Sequence, residues 1–204
     1  MLFLGVFGIK AFAQVDTTQT LNLLDELEAN ENAQVQLLPN HFIPTQRLMW
    51  GQKGLMRNFK AFQLSPEERQ KELNIRRKML TVHQILGFAT MGAMVAQGIV
   101  GSKLYNGDIG LKDTHEALAA GVNIGYFTTA SLSLFAPPKM LDERKGYSSI
   151  KIHKMLAIVH LTGMIATNIL ASQIESHPNL KPYHRAVAFT TFGAFAASMI
   201  VIKF

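Results

Sequence analysis

The chain has 204 residues, of which 48% are hydrophobic and only 17% are charged. The charged share lies well below the roughly 25% of a soluble domain, so the composition indicates a protein that contacts lipid and excludes an ordinary soluble enzyme. The sequence contains no cysteine, which excludes disulfides, thiolate metal sites, iron–sulfur clusters and c-type haem attachment. Any cofactor must therefore be held by other ligands.

Residues 1–14 form a short apolar stretch that closes on Ala11, Phe12 and Ala13. An apolar core followed by small residues is typical of a secretory signal peptide, although the usual basic residues at the start are missing. We expect cleavage after Ala13 or Gln14, which would place the following segment in the periplasm of a bacterium. The alternative is an ordinary apolar N-terminus.

Residues 15–64 are predicted to form a polar arm followed by a membrane-surface segment. Acidic residues are frequent up to about Asn40 and hydrophobic periodicity is weak, as in a flexible arm with at most one short helix. Beyond Asn40, aromatic and aliphatic residues are mixed with arginine and lysine, which suits the membrane interface. Pro39, Pro44 and the glycines at 51 and 54 are expected to break any longer element.

Four stretches carry no charged residue, and their lengths are 24, 22, 20 and 17 for residues 79–102, 117–138, 155–174 and 186–202. A helix needs about 20 mostly apolar residues to cross a bilayer, so the first three qualify directly and the fourth is marginal. Ser65, Pro66 and Glu68 predict a capped helix start with a capping box, from which the helix runs into the first span. Because the connections are short, residues 65–204 are predicted to form an all-α, up-down transmembrane four-helix bundle, preceded by an amphipathic, irregular N-terminal extension.

The net charge is +6, and the basic residues cluster near residues 69–78 and 139–151, beside the predicted membrane boundaries. Anionic lipid headgroups attract such clusters, so we expect membrane lipids as partners and no nucleic acid.

Each of the four predicted spans begins with a histidine: His83, His115, His153 and His184. Ionisable residues inside a membrane are costly and are functional by default. Consecutive antiparallel helices enter the membrane from opposite sides, so His83 and His153 should share one side, and His115 and His184 the other. Two neutral imidazoles that face each other across a bundle are suitable axial ligands for haem iron.

Small residues stand four positions after each of these histidines, on the same helix face: Gly87, Ala119, Ala157 and Ala188. A small residue there leaves room for a porphyrin ring, although small residues also allow helices to pack closely without any cofactor. The corresponding position after His160, deeper in the third span, is Met164. His160 is therefore predicted to be a buried hydrogen-bonding or proton-relay group beside a ligand, and not a ligand itself.

The order and placement of these motifs resemble the cytochrome b561 family of dihaem transmembrane electron carriers. The resemblance covers about 120 residues from Val82 onward and rests on His83-Gln-Ile-Leu-Gly-Phe88 with Gln97-Gly-Ile99, Thr114-His-Glu-Ala-Leu118, Ile152-His-Lys-Met-Leu156 and Tyr183-His-Arg-Ala186. It implies that His83 and His153 bind one b haem, that His115 and His184 bind a second, and that electrons cross the membrane between them. The two flanking helices of the family's six-helix form have no counterpart here, so ascorbate, quinol, ferric iron and a periplasmic redox protein all stay open as electron donor or acceptor.

Two other classes of function also stay open. One is a haem-free membrane subunit that scaffolds a larger complex, and the other is a small transporter that uses its histidines for metal ions or protons. Transporters often carry carboxylates near mid-membrane, and the four charge-free stretches contain none.

The predicted location is the inner membrane of a bacterium, crossed several times. Two signals disagree on orientation, because the signal peptide places the N-terminal segment in the periplasm whereas the positive-inside rule places the basic side in the cytoplasm. A cleaved export signal dictates where the first span begins, so we expect the periplasmic orientation.

Overall fold

The computed structural model describes residues 36–140, 146 and 148–203, and these contain helices and no β-strand. The predicted signal peptide, most of the polar arm and part of the loop after Lys139 lie outside the described residues. Five α-helices are present in the described part of the chain: α1 (Pro44–Trp50), α2 (Pro66–Tyr105), α3 (Lys112–Leu134), α4 (Ser149–Gln173) and α5 (Lys181–Lys203). Four single turns of 3-10 helix connect them: Leu55–Asn58, Lys60–Phe62, Ile109–Leu111 and Pro178–Leu180.

Helix α2 begins at the predicted cap and continues without a break for 40 residues. The Ser65 hydroxyl accepts a hydrogen bond from the backbone N–H of Glu68 at 3.2 Å, and Pro66 occupies the first helical position. The capping box is only half formed, because the Glu68 carboxylate pairs with Lys71 at 2.7 Å and the Ser65 N–H donates to the carbonyl of Gln63. With a rise of 1.5 Å per residue, α2 is about 60 Å long and extends well beyond a bilayer core of roughly 30 Å.

Within the described residues, three helical stretches are long and apolar enough to cross a membrane: Pro66–Tyr105, Ser149–Gln173 and Pro178–Ile202. Three of the four predicted spans are therefore confirmed as apolar enough to cross a membrane. The fourth qualifies once the turn before α5 is included, whereas α3 does not reach the same hydropathy. Uncharged length overrates α3 because much of it is glycine, alanine, serine, threonine and asparagine. The chain has the helices of a multi-pass membrane protein.

The long helices pack as two hairpins, α2 with α3 and α4 with α5. Glycines bring the helices of each hairpin together: a Cβ atom added to Gly125 of α3 would lie 2.8 Å from the Thr90 hydroxyl of α2, and one added to Gly163 of α4 would strike Thr191 of α5. The buried apolar core draws on all four helices through Met94, Val122, Tyr126, Met164 and Phe195. Large apolar side chains such as Ile85, Ile124 and Ile158 point outward, as expected of a surface that contacts lipid.

Polar side chains also join the two hairpins. Asn123 of α3 and Asn168 of α4 exchange two amide hydrogen bonds of 2.8 and 2.9 Å, a type of contact that holds helices together in lipid. At the same end, Lys112 donates to Glu175 at 2.6 Å, and this hydrogen bond and the lysine charge hold the pKa of the Glu175 carboxyl below its usual range. Both side chains are exposed, so this second contact adds little stability.

Residues 37–64, which we call the N-terminal cap, pack on the end of the α2–α3 hairpin. The last carbonyls of a helix have no partner within that helix. Here the Thr45 hydroxyl donates to the carbonyl of Leu134 at 2.6 Å, and the Trp50 indole N–H donates to the carbonyl of Phe135 at 2.8 Å. The cap therefore provides hydrogen-bond donors for two carbonyls at the C-terminal end of α3.

A buried carboxylate with two arginines fastens the cap to α2. Glu72 has no exposed surface, and it accepts hydrogen bonds from Arg57 of the cap and, at 2.5 Å, from Arg69. Arg69 also donates to the carbonyls of Leu37 and Pro138. The sequence analysis assigned Arg69 to a lipid-facing basic cluster, but its guanidinium is buried because backbone carbonyls and Glu72 replace water and headgroups as its partners.

We predict that Glu72→Gln lowers the free energy of unfolding by about 3–5 kcal/mol, because two buried guanidinium groups lose their counter-charge. Thermal or chemical unfolding in detergent micelles measures the change. Lys71→Ala is the control: it removes only the largely exposed Lys71–Glu68 pair and should cost less than about 1 kcal/mol. Equal effects of the two substitutions would contradict a structural role for the buried cluster.

Candidate functional site

Two pairs of histidines face each other between the hairpins. The ring centres of His83 (α2) and His153 (α4) lie 6.4 Å apart, with ring planes at 82°. Those of His115 (α3) and His184 (α5) lie 6.5 Å apart, at 80°. The pairing expected from the alternation of antiparallel helices is therefore confirmed as a spatial arrangement.

Three of the four rings are anchored by a backbone carbonyl of the other helix in the same hairpin. The Nδ1 atoms of His83, His153 and His184 lie 2.8, 2.9 and 3.1 Å from the carbonyl oxygens of Thr129, Ser198 and Thr167. A carbonyl can only accept, so Nδ1 carries the proton and donates, which leaves a lone pair on Nε2 in the neutral ring. Histidines that bind metals are held in this tautomer by the same kind of hydrogen bond.

The separation of the rings within each pair suits a metal ion held by one nitrogen from each side. A metal–imidazole distance of about 2.0–2.1 Å, with roughly 1.1 Å from the nitrogen to the ring centre, places two opposed ring centres about 6.2–6.4 Å apart. The observed 6.4 and 6.5 Å are close to this range. The ring separations in both pairs, and the tautomer of the three carbonyl-anchored rings, therefore fit a bis-histidine metal centre such as haem iron.

His115 is oriented differently from the other three histidines. Its Nε2 lies 3.3 Å from the side-chain nitrogen of Gln97 on α2. Its Nδ1 is buried and has no hydrogen-bond partner in the described structure. The ring is therefore placed beside His184 without the carbonyl anchor that fixes the others.

The four small residues that follow the histidines lie on the inward helix faces. Gly87 is buried, and a Cβ atom added there would lie 3.9 Å from the Thr129 methyl group, an ordinary contact distance. Packing of the protein alone therefore does not demand glycine at this position. Ala119, Ala157 and Ala188 are half-buried. Their assignment to cofactor binding stays a prediction.

His160 lies between the two pairs and belongs to neither. Its side chain is buried, with 8% of its surface exposed, and its Nδ1 lies 2.6 Å from the Tyr126 hydroxyl of α3. The Phe195 ring packs against it with ring centres 5.1 Å apart. His160 follows His153 by seven residues and precedes Thr167 by seven, so it is about 10 Å along the helix from each histidine layer. It is thus a buried hydrogen-bonding group, as predicted, and its role as a proton relay stays a prediction.

The sequence analysis noted that each span begins with a histidine but missed that the two hairpins repeat the same spacing of histidines and buried residues. A shift of 70 residues carries His83 onto His153 and Met94 onto Met164, and a shift of 69 carries His115 onto His184 and Tyr126 onto Phe195. The signal was present in the spacing of the histidines and buried residues. It was hidden because the intervening residues are mostly interchangeable apolar ones.

No family model, no curated protein and no solved structure matches this chain. The functional argument therefore rests on the chain's own residues and their geometry.

We predict that Tyr126 and His160 stabilise the protein as a pair. Tyr126→Phe should cost about 1–3 kcal/mol, because the buried His160 nitrogen loses its hydrogen-bond partner. The double variant Tyr126→Phe, His160→Leu should cost less than the sum of the two single variants, as determined by unfolding in detergent. Tyr183→Phe, at an exposed position, is the control and should be silent. Strict additivity would contradict the pairing.

Proposed function

We propose that this chain is a transmembrane electron carrier whose four long helices form an up-down bundle around two b-type haems. The observation that carries the proposal is the matched geometry of the two histidine pairs: rings 6.4 and 6.5 Å apart, three of them held by a carbonyl at Nδ1. His83 and His153 would hold one haem, and His115 and His184 the other. A haem in each position supplies a one-electron carrier near each side of the membrane.

The distance between the two layers supports a role across the membrane. Thr167, which anchors His184, follows His153 by 14 residues on α4, and this separation corresponds to about 21 Å along the helix. The two layers therefore span most of a hydrocarbon core of roughly 30 Å, with one layer towards each surface. Two layers near opposite surfaces suit transfer of electrons across the membrane, whereas a single site at mid-membrane would require only one layer.

Large apolar and aromatic side chains fill the interior between the two layers. The buried side chains there are Met94, Met164, Tyr126 and Phe195. His160 lies among them, and its ring nitrogen forms a hydrogen bond with the Tyr126 hydroxyl. A largely apolar interior favours the neutral imidazoles that iron ligation requires. This arrangement suits electron transfer better than passage of ions.

The N-terminal cap is proposed to rest on the membrane surface. Leu48 and Phe59 are each 59% exposed on the cap, and exposed basic residues such as Arg47, Lys53 and Lys60 lie near them in sequence. Apolar side chains enter the interface while basic ones meet anionic headgroups. The cap sits at the end of the bundle where His83 and His153 lie. We place this end in the periplasm of a bacterial inner membrane, where a periplasmic protein or a quinone could exchange electrons.

The first test is the haem content of the purified protein. We expect a b-type absorption spectrum on reduction and two haems per chain by the pyridine-haem assay, whereas a scaffold subunit or a metal transporter would be colourless. His83→Ala and His153→Ala should each remove the same haem, and His115→Ala and His184→Ala the other, because both ligands of a pair are needed. His177→Ala, an exposed histidine outside the pairs, should retain both. A haem count of zero would end the electron-carrier proposal.

The orientation is tested by sequencing the N-terminus of the mature protein and by a reporter fused after Phe204. We expect a mature start at Gln14 or Val15 and a reporter that is active only in the periplasm, because four spans place both ends of the bundle on one side. An intact Met1 together with a cytoplasmic reporter would overturn this orientation in favour of the positive-inside prediction.

A further inference from the structure

The two hairpins contact each other along two interfaces, α3 with α4 and α2 with α5. At the end of the bundle where His115 and His184 lie, charged side chains close the first of these interfaces. The Lys112 ammonium donates to the Glu175 carboxylate at 2.6 Å and lies 3.7 Å from the carboxylate of Glu116. The cation at the α3–α4 interface is therefore neutralised by acidic residues of the chain itself.

The repeat places different residues at the same positions of the α2–α5 interface. Helices α3 and α5 are related by a shift of 69 residues, which puts Arg185 at the position equivalent to Glu116. Helices α2 and α4 are related by a shift of 70, which puts Tyr105 at the position equivalent to Glu175. Lys181 is the counterpart of the lysine at the other interface. The α2–α5 interface therefore has two basic residues and no acidic residue at these positions.

Arg185 stacks on two aromatic rings and has no acidic partner in the described part of the chain. Its guanidinium carbon lies 4.5 Å from the centre of the Tyr105 ring and 5.8 Å from that of Phe189. Stacking uses the flat face of the guanidinium, whereas its five N–H donors lie in the plane of the group. Asp108 and Asp113, the other described carboxylates at this end, form no ion pair with it. The donors of Arg185 are therefore available to an anion from outside the chain.

The surroundings of this guanidinium match the boundary between lipid headgroups and acyl chains. Tyr105 and Tyr183 are exposed, and tyrosine is enriched at this depth of a membrane. Phe189 lies one turn further into the span and is exposed as well, and a Cβ atom added to Gly98 of α2 would lie 4.0 Å from its Cε1 atom. A headgroup can therefore reach the guanidinium while an acyl chain covers the phenylalanine ring.

We propose that Tyr105, Lys181, Arg185 and Phe189 form a site, which we call the α2–α5 site, for the phosphate of an anionic phospholipid. The Arg185 guanidinium donates to two phosphate oxygens, a geometry to which arginine is suited. The exposed Lys181, one turn earlier on α5, adds a second positive charge, so a lipid with net negative charge is favoured over a zwitterionic one. The lipid supplies the negative charge that Glu175 supplies at the other interface. The site requires a membrane and no haem.

Binding of phosphatidylglycerol to the purified full chain in a neutral detergent tests the inference. Native mass spectrometry should show one phosphatidylglycerol on the wild-type chain in preference to phosphatidylcholine. Arg185→Gln should weaken this binding by about 10–100-fold, the usual effect of losing hydrogen bonds between charged groups. Lys103→Gln is the control, because Lys103 is an exposed cation two residues from Tyr105 and thus on another side of α2. It should change the binding by less than about twofold, since salt screens exposed charges outside the site.

Tyr105→Glu keeps Arg185 and provides a second test if Arg185→Gln folds poorly. It introduces at the α2–α5 site the carboxylate that Glu175 provides at the other interface, so it should pair with the guanidinium and displace the lipid. Unchanged binding in both variants would overturn the site. An equal loss in Lys103→Gln would do the same, because it would indicate a general attraction between charges. Displacement of the lipid by added inorganic phosphate would overturn the choice of a phospholipid as the ligand.

Discussion

The arrangement of the long helices depends on how an imidazole can be fixed inside a membrane. Helix carbonyls there already accept from the N–H four residues on, but each keeps a second lone pair. His83, His153 and His184 use that lone pair on the neighbouring helix, so each hydrogen bond sets both the ring's tautomer and the register of its hairpin. The glycines at 125 and 163 allow the close helix approach that these bonds require. Anchored within its own hairpin, each histidine then faces one from the other hairpin.

The same hairpin layout is used twice, and the differences between the copies are chemical. His160 of α4 occupies the position equivalent to Thr90 of α2, and Tyr126 of α3 occupies the position equivalent to Phe195 of α5. These two changes create the buried Tyr126–His160 hydrogen bond between the histidine layers. Gln97 supplies a third difference at the second layer. A repeated scaffold with a few polar substitutions therefore gives two sites of similar geometry and unequal surroundings.

Much of the site could be predicted from particular residues, and the rest could not. His83, His115, His153 and His184 are separated by whole spans, so the alternation of antiparallel helices determines which of them share a side. The hydropathy of α3 was overrated because the absence of charge does not measure how apolar a helix is. The docking of Trp50 and Thr45 on the end of α3 could not be seen either, because they donate to backbone carbonyls 85 and 89 residues away. Every residue has a backbone carbonyl, so no sequence pattern marks the carbonyls that a distant side chain will contact.

The sequence by itself determined the all-helical membrane character, the start of α2 at Ser65 and the pairing of the four histidines. These follow from charge, capping chemistry and the order of the helices, which are local or topological properties of the chain. Only the tertiary structure decided that Arg69 is buried against Glu72 and does not face lipid, that His160 forms a hydrogen bond with Tyr126, and that His115 alone of the four paired histidines lacks a carbonyl anchor. Each of these depends on distances between atoms that lie in different elements of the chain. Such distances are set by tertiary packing, which local sequence patterns do not determine.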